Sequence, residues 1–170
     1  IRLGNYIIVA GNTFGVNATD GKMPIAASAR NILIKNNTLL TGAYRFFSIG
    51  PRCTQMTHPY PMPGYSYDFF DNRLVGNTIE GNLTTFAEIS SSANDDCTPA
   101  SATSDGTLNG SRTGWYEVRG NVLKGTAQTF VLENPADGNP IVGDNLVCGN
   151  CINNPDCIPN PYPDCDQPDP

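Results

Sequence analysis

VAGNTF, residues 9–14, sets an aliphatic residue, a spacer, Gly, Asn, a spacer and a hydrophobic residue in a row. The same frame returns as IKNNTL (34–39), LVGNTI (74–79), VRGNVL (118–123) and VCGNCI (147–152). Its central Asn falls at Asn12, Asn37, Asn77, Asn121 and Asn150, at spacings of 25, 40, 44 and 29 residues. A second landmark keeps a fixed distance: Phe46, Phe86 and Phe130 each lie nine residues after Asn37, Asn77 and Asn121. In the first unit KMPIAAS (22–28) takes the comparable place. RFFSIG, TFAEIS and TFVLEN read as a second strand per unit. All variation in length falls after that strand, in turn-rich insertions at about 51–71 and 90–114.

A unit of about 25 residues built from short strands and Asn-rich turns predicts a solenoid. No segment keeps a 3.6-residue apolar period over three turns, which argues against helical units. The L-x-x-L-x-L frame of leucine-rich repeats is also missing. The fold expected is therefore all-β: a right-handed parallel β-helix of about five coils over residues 1–152, with equivalent residues stacked at about 4.8 Å. Residues 153–170, rich in Cys and Pro, are expected to form a C-terminal cap or linker, since so many prolines disfavour a strand. The motif Asn is read as the residue at which the chain leaves a strand and turns, because Asn tolerates the left-handed backbone. Stacked Asn side chains can also hydrogen-bond as a ladder. Val9, Ile34, Leu74, Val118 and Val147 would form one inward column. Phe14, Leu39, Ile79, Leu123 and Ile152 would form another. The three phenylalanines would stack, facing inward or outward.

The repeated frame resembles that of the pectin-lyase-like β-helix superfamily, whose coils read like I-x-x-N-x-F-x-x-N. The resemblance covers most of residues 1–152 and implies the fold; the motif is generic to that fold and singles out no family within it.

Composition agrees with a turn-rich β protein: of 170 residues, 17 are Gly, 14 Pro and 19 Asn, and only 15% are charged. The net charge is −6 and the pI about 4.5. Nucleic-acid binders carry a basic face; no Lys/Arg cluster exists here, so a nucleic-acid partner is not expected. No apolar run approaches the roughly 18–20 residues that span a bilayer, so no membrane span is expected. The chain opens at Ile1, without an initiator Met and already in a strand-like stretch, which reads as a mature or trimmed product.

Six cysteines, Cys53, Cys97, Cys148, Cys151, Cys157 and Cys165, are an even set with four crowded near the C-terminus. That pattern points to disulfides and an oxidising, extracellular compartment. Cys53 and Cys97 follow the second strands of neighbouring units and would bridge each other; the other four would knot the last unit to the tail. The rival reading is a zinc knuckle at CGNC, but it lacks a second C-x-x-C and a nearby His. No metal or other cofactor is expected. Sequons at Asn17, Asn36, Asn82 and Asn109 are candidate glycosylation sites.

The resemblance implies chemistry on acidic polysaccharides, which needs clustered carboxylates or an Arg/Lys base with charge-neutralising partners. Carboxylates are sparse on the repeats. Lys35, Glu88 and Arg119 are the catalytic candidates, with Lys35 and Arg119 at the same motif position on either side of Val75. His58, the single histidine, lies in a Pro-rich insertion. Tyr60, Tyr65, Tyr67 and Trp115 are candidates for stacking on sugar rings. Five coils span only about 24 Å, and the Ile1 end shows no polar cap. The function expected is a secreted structural module, self-associating end to end in an extracellular fibre or surface layer. The alternatives are a fragment of a polysaccharide lyase or epimerase, and a carbohydrate-binding adhesin module.

Overall fold

Each repeat changes direction at the residue before its motif Asn. Gly11, Gly76, Gly120 and Gly149 have φ of 66°, 64°, 60° and 62°, and Asn36 has 53°. This corrects the expectation that the motif Asn itself adopts the left-handed backbone. Glycine enters that region without a Cβ penalty, and Asn is the residue that best replaces it. The motif Asn is thereby left to hydrogen-bond. At Gly76 a Cβ would also meet Oδ1 of Asn36 in the preceding repeat, the tip of an exposed side chain that can turn aside, so the backbone is what selects glycine.

The computed structural model describes residues 2–3, 6–15, 25–27, 30–40, 43–49, 69–90, 113–135 and 141–160. Most of both insertions and the last ten residues lie outside that set. Among the described residues the chain is all strand and turn, without a helix, in four parallel sheets. Strands are numbered in chain order. The first sheet holds β1 (Arg2–Leu3), β4 (Ile25–Ala27), β7 (Ala43–Ile49), β11 (Leu83–Ser90) and β15 (Ala127–Asn134). The second holds β2 (Ile8–Ala10), β5 (Leu33–Lys35), β9 (Arg73–Val75), β13 (Glu117–Arg119) and β17 (Leu146–Cys148). The third holds β3 (Thr13–Phe14), β6 (Thr38–Leu39), β10 (Thr78–Ile79), β14 (Val122–Leu123) and β18 (Cys151–Ile152). A fourth, which the sequence did not suggest, holds β8 (Phe69–Phe70), β12 (Thr113–Gly114) and β16 (Ile141–Val142). Neighbours within a sheet come from successive repeats, so the chain passes from sheet to sheet and returns one row further on.

The register follows the repeated frame. Val9, Ile34, Leu74, Val118 and Val147 are successive partners in the second sheet. Phe14, Leu39, Ile79, Leu123 and Ile152 are successive partners in the third. Both columns are buried in the middle rows. They end exposed in the last, with Val147 at 44% and Ile152 at 45%. The phenylalanines face inward: Phe46 and Phe86 are fully buried, with ring centroids 5.4 Å apart, and Phe86 stacks on Phe130 at 4.6 Å. Burying a Phe, Leu or Ile side chain stabilises by about 1.5–3 kcal/mol, so these columns are the main cohesive term.

A buried ladder of asparagine amides runs beside the apolar columns. Asn12 Nδ2 donates to Asn37 Oδ1 (3.0 Å), Asn37 to Asn77 (3.0 Å), Asn77 to Asn121 (3.0 Å) and Asn121 to Asn150 (2.9 Å). The backbone N–H of each donor Asn reaches the same oxygen. The second amide hydrogen goes back one row: Asn37 to Val9 O, Asn77 to Ile34 O, Asn121 to Leu74 O and Asn150 to Val118 O. An interior Asn so fills its two donor and two acceptor sites, which is why a polar side chain can be buried at this position.

The segment after β18 is stapled to the last row. Cys151 and Cys157 form a disulfide with Cα atoms 5.6 Å apart, inside the normal range. Cys148 is disulfide-bonded as well. CGNC is therefore not a zinc knuckle. Asn160 N–H donates to Gly149 O at 3.0 Å, laying the segment after β18 against that corner. Cys53, Cys97 and Cys165 lie outside the described residues, as does the proposed Cys53–Cys97 bridge.

Candidate functional site

A left-handed residue also opens the second sheet in four rows: Tyr6 (φ 58°), Asn31 (56°), Asp71 (57°) and Trp115 (45°). Each sits two residues before its strand and six before its motif Asn. The strand register makes them equivalent, one per row. Behind this corner runs a sparser counterpart of the ladder, in which Asn72 Oδ1 accepts from Ile32 N–H (3.1 Å) and Asn145 Oδ1 from Tyr116 N–H (3.2 Å). Asn and Asp suit the left-handed region; Tyr and Trp do not. Such residues cost about 1–3 kcal/mol each and persist where the surrounding structure fixes them.

Trp115 is fixed from both sides. Phe70, in the preceding row, packs edge to face with its indole at 4.5 Å. In the next row Gly143 (φ 88°) passes so close that a Cβ there would fall within the indole. The indole is nonetheless 45% exposed. Tyr6, at the other end of the row set, is 70% exposed, with the Arg30 guanidinium 6.0 Å from its ring centre. The structure thus sets Trp115 on an exposed ridge. Tyr60, Tyr65, Tyr67 and His58 lie outside the described residues.

The three catalytic candidates do not converge. Lys35 and Arg119 flank Val75 in the second sheet, two row steps or about 10 Å apart. Glu88 lies in the first sheet. It is 7% exposed and forms an ion pair with Arg45 of the neighbouring strand; Ser90 Oγ donates to its other oxygen at 3.4 Å. Glu117 binds Arg119 at 3.0 Å and Arg73 of the preceding row at 3.6 Å. Glu80 binds Lys124 of the next row at 2.8 Å. Glu133 accepts a hydrogen bond from Tyr116 Oη. Burial, then that hydrogen bond and the carboxylate charge, hold the Tyr116 phenol well above its ordinary pKa of 10.0. Every described glutamate is thus engaged with another row or strand, whereas acid–base catalysis needs a carboxylate facing its substrate. Among the described residues no group of three or more His, Cys, Asp or Glu could hold a metal ion. The described residues hold no helix long and apolar enough to cross a membrane.

Two of the four sequons fall on described residues. Asn36 is exposed at its left-handed corner. Asn82 is exposed too, and its Oδ1 accepts from Thr126 N–H (2.9 Å) and Oγ1 (3.2 Å). Asn17 and Asn109 lie outside the described residues.

The sequence reading missed Tyr6, Asn31 and Asp71. Their constant distance from the motif Asn was the available signal; their differing chemistry concealed it. No protein-family model, curated protein or solved structure matches the chain.

Proposed function

We propose that the chain is a secreted structural module: a right-handed parallel β-helix of about five coils, of the pectin-lyase-like type, that associates end to end in an extracellular fibre or surface layer. The observation that carries this reading is the engagement of all four described glutamates as links within the stack, which favours a scaffold over an enzyme. The row-by-row parallel register supports the β-helix. The Cys151–Cys157 disulfide supports an oxidising compartment.

End-to-end association draws support from both ends of the stack. The apolar columns finish on exposed Val147 and Ile152. Asn12 Oδ1 has no hydrogen-bond partner among the described residues at one end, nor has Asn150 N–H at the other. An acceptor end and a donor end are what a heterologous, head-to-tail contact requires. The test is light scattering over a concentration series, with negative-stain microscopy of the same samples. Rods that lengthen with concentration, and shorten on Val147→Asp, are the expected result. A monomer at every concentration would refute assembly.

A further inference from the structure

The chain visits its sheets in a fixed order. β1, β2 and β3 lie in the first, second and third sheets, and that order repeats through β15, β17 and β18. Each pass climbs one row, so either end of the stack is a ramp with a step of about 4.8 Å where the third sheet meets the first. β15 lies at the foot of the step at one end. It is the last strand of its sheet, and no described strand pairs with its outer edge; such an edge presents unpaired N–H and C=O groups. Phe130 and Val131 on β15 are only half-buried, whereas Phe86 and Ala87, one row back, are fully buried. Three earlier passes enter the first sheet four residues after leaving the third: Ala43 after Leu39, Leu83 after Ile79 and Ala127 after Leu123. After Ile152 the chain turns back instead, with Asp156 N–H on Asn154 Oδ1 (3.0 Å), Cys157 N–H on Asn154 O (3.3 Å) and Cys157 bonded to Cys151. We propose that β1 of a second copy takes the place over β15, so that copies join head to tail in one rotational register, step against step.

This inference rests on the end-to-end reading above and fixes the contact within it. Row-to-row pairing carries Arg2 to Ala26, Ser48, Glu88 and Leu132, and Leu3 to Ala27, Ile49, Ile89 and Glu133. One further step sets Arg2 and Leu3 of the second copy over Leu132 and Glu133. The same step sets its Ile8 over Leu146 and its Val9 and Phe14 over the exposed Val147 and Ile152. Its Asn12 then continues the ladder over Asn150. In the earlier rows the motif Asn carbonyl accepts an N–H from the next row at 2.8 Å, whereas Asn150 O has only Cys157 Sγ at 4.0 Å; Thr13 N–H of the second copy supplies that donor. Any other rotation sets sheet edges against corners and leaves these groups unpaired, which is costly once they are buried. Residues 161–170 are a poor rival occupant, because four prolines in ten positions lack the N–H groups of a ladder strand.

Paired residues on adjacent strands have Cα atoms about 4.8 Å apart, within reach of a short bis-maleimide cross-linker. The experiment uses variants of the intact protein with one added cysteine each, checked for the parent's circular dichroism spectrum. Ile8→Cys is mixed with Leu146→Cys, and Arg2→Cys with Leu132→Cys; Ile8→Cys with Leu132→Cys is the mismatched mixture. Covalent dimers from both matched mixtures, rising with concentration, and none from the mismatched mixture or from any variant alone, are the expected result. Aligned rods should also diffract with an axial repeat of about 24 Å, five rows. Rods in light scattering that lack either matched cross-link, or that form the mismatched one, overturn the register and leave end-to-end assembly standing. A monomer at every concentration overturns both.

Discussion

Replacing Asn77 with alanine takes a fully buried amide out of the middle of the ladder. Two donors lose their partner there, and a main-chain carbonyl loses one of its donors. Asn37 N–H and one Asn37 Nδ2–H donate to Asn77 Oδ1 at 3.1 and 3.0 Å, and Ile34 O accepts from Asn77 Nδ2 at 2.9 Å. Asn121 Oδ1 keeps the Asn77 backbone N–H and is spared. A buried polar group left unpaired costs about 1–3 kcal/mol, so two would cost about 2–6 kcal/mol; a water entering the vacated space brings the expectation to about 3 kcal/mol. Asn12→Ala, on the exposed end of the same ladder, removes one bond to Asn37 and strands nothing buried, at under about 1 kcal/mol. The assay is urea denaturation followed by Trp115 fluorescence and by circular dichroism, with midpoints compared at constant m. If Asn77→Ala and Asn12→Ala lower stability equally, saturation of the interior amides is not what the ladder contributes.

Gly11→Ala, placed where a Cβ meets nothing within 4 Å, isolates the left-handed backbone and should cost about 1–2 kcal/mol in thermal denaturation, with Gly11→Asn milder; a neutral Gly11→Ala would remove the conformational explanation of the motif glycine. Glu88→Ala removes the carboxylate that pairs with Arg45 and should cost about 3 kcal/mol, whereas Glu88→Leu combined with Arg45→Met should recover most of that; additive losses would exclude coupling. Because folding raises the Tyr116 pKa, stability is unaffected below the unfolded value of 10.0 and falls as pH rises above it, by up to about 1.4 kcal/mol per pH unit. Tyr116→Phe should flatten that alkaline slope in denaturation midpoints, and an unchanged slope would assign it to other groups. Reduction of Cys151–Cys157, which closes a short loop, should lower stability by about 2 kcal/mol and free the segment that Asn160 anchors, seen as faster amide exchange there.

How far the sequence could be read depended on where each interaction partner lay. Val9, Asn12 and Phe14 stand in one hexapeptide, so the same six positions repeated elsewhere fix which residues are in register. The position of the left-handed residue was misplaced by one because Gly and Asn both occupy that site, and IKNNTL, with two Asn in a row, hides the distinction that Gly76 and Gly120 make plain. The ion pairs were illegible for a different reason. Arg45 and Glu88 come from different repeats, and whether they meet depends on packing that no local pattern encodes. Glu88 consequently reads as a free acid in the sequence and is a buried strut in the fold. Tyr6 and Asp71 were missed because a backbone requirement, rather than a shared side-chain type, unites them.

The ladder also gives the molecule an electrical axis. Main-chain bonds between rows run in both directions, Gly11 N–H toward Lys35 O but Thr38 N–H back toward Asn12 O, and their dipoles largely cancel. The side-chain amides keep one sense: from Asn12 to Asn121 one Nδ2–H of each points toward the next oxygen and each Oδ1 from Asn37 on faces the preceding row, while the second hydrogen of the later ones returns to a main-chain carbonyl. Aligned in a low-dielectric interior, such dipoles polarise one another and add. In an α-helix the axial field comes from the peptide groups; in this protein side chains generate it, with the positive pole at Asn150 and the negative pole at Asn12.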